Sequence, residues 1–145
     1  MTGFFQQARK ALAEELEKFR NRNFLEATMA ASALVALSDG DVNLTELNVI
    51  DQALEAIQEL KIYDPHDAVD LYRDYMHDLR TDPAKARIKI LEEVGKIAGD
   101  PHAARLLVRV CVAIGKSDDN FSEKEKAVIV DLCDALRLDT AEIGL

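Results

Sequence analysis

The sequence predicts an all-α fold: a single-domain bundle of seven to eight helices with an internal pseudo-twofold repeat. Three observations lead there. Apolar residues recur at steps of three and four along most of the chain, and no segment alternates with period two. All three prolines follow an aspartate, in Asp64-Pro65, Asp82-Pro83 and Asp100-Pro101. Asp is a good helix N-cap, and proline suits the first helical position, where its missing amide hydrogen has no helical partner. Finally, Ser38-Asp39-Gly40-Asp41-Val42-Asn43-Leu44-Thr45-Glu46 and Ser117-Asp118-Asp119-Asn120-Phe121-Ser122-Glu123-Lys124-Glu125 are near copies, 79 positions apart.

Taken in order, Phe4, Phe5, Ala8, Leu12, Leu16 and Phe19 predict an amphipathic helix over about residues 3–20. From Phe24 to Leu37 the only polar residues are Glu26, Thr28 and Ser32, so a second helix there is central and buried, its alanines permitting close contacts. Leu47, Ile50, Leu54, Ile57 and Leu60 mark a helix over 44–61. The Asp-Pro pairs start helices over 66–79, 84–98 and 102–116, the last rich in Leu, Val and Ile and therefore the second buried helix. Val128, Ile129, Leu132, Ala135 and Leu136 give a helix over 123–137, and Asp139 caps a short final turn. Buried helix, acidic loop and amphipathic helix thus occur twice, in units of about 23–62 and 102–138 within one domain spanning 1–145. Leu60-Lys61-Ile62 is echoed by Leu136-Arg137-Leu138.

With 145 residues, 48% of them hydrophobic, the chain is long enough to bury one substantial core. Its net charge of −9 argues against a nucleic-acid partner, which needs a basic face to displace counterions from phosphates. Cations and basic partners remain open. Five basic and three acidic side chains give residues 1–22 a balance of +2, leaving −11 on the rest, so the acidic character belongs to the folded body. The apolar run from Ala27 to Leu37 falls well short of the ~20 residues of a membrane span, and the first residues lack a signal peptide's apolar core, so a soluble cytoplasmic protein is expected. Cys111 and Cys133 sit singly in apolar helical patterns, with no CxxC pair, and read as core residues of a reducing compartment.

The acidic loops have two readings. Asn43-x-x-Glu46 and Ser122-x-x-Glu125 have capping-box spacing, with Val42 and Phe121 placed as hydrophobic staples and Gly40 as a turn residue. Capping leaves Asp39 and Asp118 unexplained: both fall just beyond the C-terminal end of a buried helix, where the dipole disfavours a carboxylate. Asp41 and Asp119 add negative charge within two residues, and a bound cation turns that repulsion into attraction. EF-hand loops are excluded, because positions six and twelve hold Leu44 and Ile50 in the first copy and Glu123 and Ile129 in the second, where Gly and a bidentate Glu belong. The surviving geometry is one shared site of Asp39, Glu46, Asp118 and Glu125, with Asp41 and Asp119 as additional ligands. An all-oxygen set favours a hard divalent ion, calcium or magnesium, with manganese next and zinc last.

Gly3-Phe4-Phe5, the Asn23-Phe24 junction, the Ala-rich helix into Ser38-Asp39-Gly40, Lys116-Ser117-Asp118-Asp119-Asn120-Phe121 and the terminal Ile143-Gly144-Leu145 occur in order and at suitable spacing. In these features the chain resembles the TerB family, small cytoplasmic proteins of bacterial tellurite-resistance operons, along essentially its whole length. The resemblance implies an all-helical, pseudo-symmetric fold and a metal site at Asp39, Glu46, Asp118 and Glu125. It implies a role in resistance to tellurite and other chemical stress, alongside a membrane partner and calcium-binding partners from the same operon, and no established reaction. Sensing or scaffolding, with peripheral work at the inner face of the membrane, is the corresponding expectation. The second loop departs from the pattern, with Asp119 where the first copy has Gly40 and the family usually keeps Gly, so the half-sites are expected to differ in loop conformation.

The remaining candidates have simpler structural readings. His66 and His102 hold matching Asp-Pro-His positions at exposed helix starts without a partner ligand at i+4, and His77 stands alone in a charged helix. The first helix carries Arg9, Lys10, Lys18 and Arg20 beside its apolar stripe, which suits a membrane surface or a partner. Packing on the bundle is simpler, and Glu14, Glu15 and Glu17 weaken attraction to anionic lipid. Paired carboxylates also serve as general acid and base, but no nucleophile signature, phosphate-cradling Gly-rich loop or His partner accompanies them. No enzymatic activity is expected. The alternative to a metal protein is a metal-independent acidic module that docks a basic or membrane-associated partner on the same face.

Overall fold

The structure is a computed structural model that describes residues 2–38, 64–116 and 121–143. These residues form five α-helices, α1 (Thr2–Leu37), α2 (Pro65–Thr81), α3 (Pro83–Gly95), α4 (Pro101–Gly115) and α5 (Glu123–Leu136), and a closing 3-10 turn at Thr140–Ile143. No strand occurs among the described residues, as the absence of period-two alternation predicts. The helix expected over 44–61 lies outside them.

The first correction concerns α1. The helices expected over 3–20 and 24–37 are one continuous helix of 36 residues, about 54 Å long at 1.5 Å per residue. Arg20-Asn21-Arg22-Asn23 reads as a junction because polarity changes there, yet it contains neither Gly nor Pro. Arg22 Nε donates to Glu26 Oε1 at 3.2 Å, one helical turn on, which carries the helix across the join. The change of polarity marks entry into the core: from Phe24 to Ala36 every residue except Glu26 is buried, whereas Gly3, Gln6, Gln7 and Lys10 are exposed. Five alanines in that buried half, Ala27, Ala30, Ala31, Ala33 and Ala36, let neighbouring helices approach, and α1 packs against α2, α3, α4 and α5.

The Asp-Pro pairs start helices as predicted. Asp64 accepts from His66 N at 2.9 Å, Asp82 from Lys85 N at 3.3 Å and Asp100 from Ala103 N at 3.2 Å, with proline opening each helix. Asp82 serves two helices, since its own amide donates to Asp78 O at the end of α2. The helix expected to reach residue 98 leaves α geometry at Gly95, and Lys96, Ile97 and Ala98 follow in tighter turns, each amide donating to the carbonyl three residues back. Helix α5 ends on Arg137 in the left-handed region at φ 58°, where Leu138 N donates to Cys133 O at 2.9 Å and closes a Schellman-type cap. Asp139 caps the last turn by accepting from Ala141 N at 3.0 Å.

Each later helix buries one stripe against α1: Ala68, Tyr72, Met76 and Leu79 from α2, Ala86, Ile90 and Val94 from α3, Leu107, Cys111 and Ile114 from α4, and Val128, Ile129, Leu132 and Leu136 from α5. Ion pairs stitch the outside, Arg87 to Asp131 between α3 and α5 and Arg105 to Glu142 between α4 and the final turn. Both are half exposed and contribute at most about 1 kcal/mol each.

Cys111 and Cys133 are buried, as their apolar surroundings predict. Burial, with the neighbouring Cys133 next, pushes the Cys111 thiol far above its ordinary value, and the adjacent Ser32 hydroxyl opposes this weakly. Burial, then the charge of Asp134, pushes the Cys133 thiol from 9.0 up to about 11. The folded state therefore holds these protons more tightly than the unfolded chain, so their contribution to stability is complete below pH 9 and declines as pH climbs from 9 towards 11. At pH 8 a thiol reagent is expected to label neither cysteine in the folded protein and both in urea; rapid labelling without denaturant contradicts this packing.

Candidate functional site

The second acidic motif follows α4. At its near end Lys116 caps α4, its amide donating to Val112 O at 3.0 Å. At its far end Ser122 starts α5 with the capping box that its spacing predicts: Glu125 N donates to Ser122 Oγ at 3.1 Å, and Ser122 N donates back to Glu125 Oε1 at 3.2 Å. Glu123 and Glu125 lie in the first turn of α5, where the helix dipole favours negative charge.

Burial separates the two glutamates. Glu123 has a side chain 91% exposed, as is ordinary for a helix start, whereas Glu125 is 2% exposed. The cause is tertiary. A Cβ placed on Gly115 would lie 2.5 and 2.7 Å from Phe121 Cε2 and Cδ2 and 3.1 Å from Glu125 Oε2. The Phe121 ring and the second carboxylate oxygen therefore share the space that a side chain at 115 would fill.

Phe121 does precede the cap as a staple and packs partly buried against the core, but its partner at the fourth helical position is not apolar. The fourth helical position holds Lys126, whose Nζ stands 5.8 Å from the ring centroid, and Lys116 Nζ stands 5.7 Å away. Both fall within the range of cation–π attraction. The ring thus rests on bare backbone at Gly115 with an ammonium group from each helix beside it. Gly115 and the ring's seat were missed by sequence reasoning. One signal was available, because Gly115 and Ala36, 79 positions apart, put a small buried residue at the same place in both repeat units.

Of the expected metal ligands, Glu125 is described and Asp39, Glu46 and Asp118 lie outside the described residues, as do Asp41 and Asp119. Among the described residues no three His, Cys, Asp or Glu side chains gather closely enough to hold a metal ion. Tyr75 marks a separate acidic corner, where burial first and then Glu93, Glu26 and Asp78 push its phenol up to about 12. Arg22 opposes that shift, and Lys96 Nζ donates to Glu93 Oε1 at 2.9 Å. His66, His77 and His102 are exposed, matching their structural reading.

The family model described as Tellurite resistance protein TerB matches residues 25–145. The chain belongs to the TerB family. The TerB match starts within α1, one residue after the helix enters the core, and includes both acidic motifs. A curated relative, Tellurium resistance protein TerB of Alcaligenes sp, is 21% identical over 108 residues, covering 74% of this chain and 88% of that protein. No solved structure matches the chain. Family membership connects this TerB chain with tellurite resistance, and no described helix is long and apolar enough to cross a membrane.

Proposed function

We propose that this TerB-family chain is a cytoplasmic, non-enzymatic component of tellurite and chemical-stress resistance that binds a divalent cation through Asp39, Glu46, Asp118 and Glu125. Its two repeat units face each other across a pseudo-twofold axis, so each acidic loop supplies half of the site, with Asp41 and Asp119 in reserve. The observation that carries the reading is Glu125, a carboxylate 2% exposed whose Oε1 closes the capping box while Oε2 lies next to Gly115 at the end of α4. Oε1 accepts from Ser122 N, so the support for an ion is the placement of this carboxylate in the second acidic motif and not a missing partner. The donor set is all oxygen and fits calcium or magnesium, and bound there the ion ties the two loops together. The acidic face so ordered is the docking surface for other tellurite-resistance operon proteins, a membrane partner among them, with peripheral attachment at the inner membrane face.

The capping box favours a second reading, a metal-independent acidic module in which Glu46 and Glu125 only start helices. Calorimetric titration with calcium and magnesium separates the two. In the metal reading Asp39→Asn and Asp118→Asn each weaken binding at least about tenfold, or 1.4 kcal/mol. Glu46→Gln and Glu125→Gln also weaken it, although glutamine still closes a capping box. Identical titrations of wild type and all four variants with every divalent ion sink the metal reading, and partner recovery that ignores chelator then supports the acidic module.

A further inference from the structure

We infer that Gly115 and Phe121 are positioning residues for Glu125: the ring, seated on the bare Gly115 backbone, holds the Glu125 carboxylate dry and in one orientation. Their effect on ion affinity rests on the ion-binding reading above; the positioning itself does not. Gly115 is the last residue of α4, and the space beside it is taken: any Cβ there meets the ring at 2.5 Å and the carboxylate at 3.1 Å. The ring in turn is fixed from outside, with Lys116 and Lys126 at 5.7 and 5.8 Å from its centroid and Lys126 held at 3.2 Å by Glu123.

Two consequences follow for a cation. A carboxylate already restricted by packing loses less rotamer entropy on binding. Excluding water also strengthens attraction between the carboxylate and an arriving charge. Apolar groups around a metal site control its solvent access in this way, and supporting residues typically set affinity by about 10–100-fold.

The test uses the full chain as wild type, Phe121→Leu, Phe121→Tyr and Gly115→Ala. Amide hydrogen exchange is read by NMR in chelator, and calcium affinity by calorimetry. Phe121→Leu and Gly115→Ala are expected to speed exchange at the Ser122 amide, the donor to Glu125 Oε1, about tenfold and to weaken calcium binding about tenfold. Phe121→Tyr keeps the ring and restores both. Exchange at the Ile129 and Leu132 amides stays at the wild-type rate; equal acceleration there reports global loosening and overturns the inference. Unchanged Ser122 exchange in Phe121→Leu overturns it whatever calcium does. If wild type takes up no divalent ion while Ser122 exchange still responds to the ring, the ion reading fails and the positioning stands. If calcium binds wild type and Phe121→Leu equally, the link from position to affinity is lost.

Discussion

Leu132→Ala lowers the unfolding free energy by about 2–5 kcal/mol. Leu132 has no exposed surface and lies on α5, which packs against α1, α3 and α4. The ends of α5 are fixed by the Ser122–Glu125 box and the Arg137 cap, so the helix cannot readily slide into the space left behind. For a chain of this length the loss lowers the melting temperature by roughly 5–15 °C. Val130→Ala is the matched control on the same helix. Val130 is 38% exposed, and its truncation costs under about 1 kcal/mol. Urea denaturation with an unchanged m-value reads both, and equal midpoints for the two variants contradict the placement of α5.

The other large effect is the stabilisation expected from the ion proposed above. A cation that binds the folded chain alone, at about one hundred times its dissociation constant, adds about 2.7 kcal/mol to the unfolding free energy. That raises the melting temperature by roughly 5–10 °C, and chelator reverses it. A net charge of −9 creates self-repulsion that any salt relieves, so sodium chloride at matched ionic strength must accompany the comparison. The site-specific part of the shift disappears when Asp39→Asn and Asp118→Asn are combined. A shift that sodium reproduces, or that the double variant retains, belongs to screening.

The sequence made the local chemistry legible and left the tertiary causes hidden. Asp64-Pro65, Asp82-Pro83 and Asp100-Pro101 located three helix starts because the cap hydrogen bond and the proline backbone act within a few residues. The Ser122–Glu125 box was legible for the same reason. The continuity of α1 was not, since the change from amphipathic to apolar pattern at Asn23 records what packs around the helix, and a helix needs a breaker or a cap to end. The burial of Glu125 was equally hidden. The Phe121 ring and Glu125 Oε2 meet at Gly115 at the end of α4, a proximity that no spacing rule within α5 contains. Lys126 shows the same limit: capping-box spacing located the staple residue Phe121, while the ammonium groups of Lys116 and Lys126 beside its ring come from tertiary placement.

Native mass spectrometry of gently purified protein decides whether the acidic motifs hold a divalent ion, because it reports the mass of a retained ion and the number of subunits together. The expected spectrum shows a folded species heavier than the bare chain by one divalent ion. Chelator removes that ion, calcium or magnesium restores it, and the Asp39→Asn, Asp118→Asn double variant lacks it. A species at the bare mass before and after calcium or magnesium addition, the same for wild type and double variant, rules out the proposed ion site.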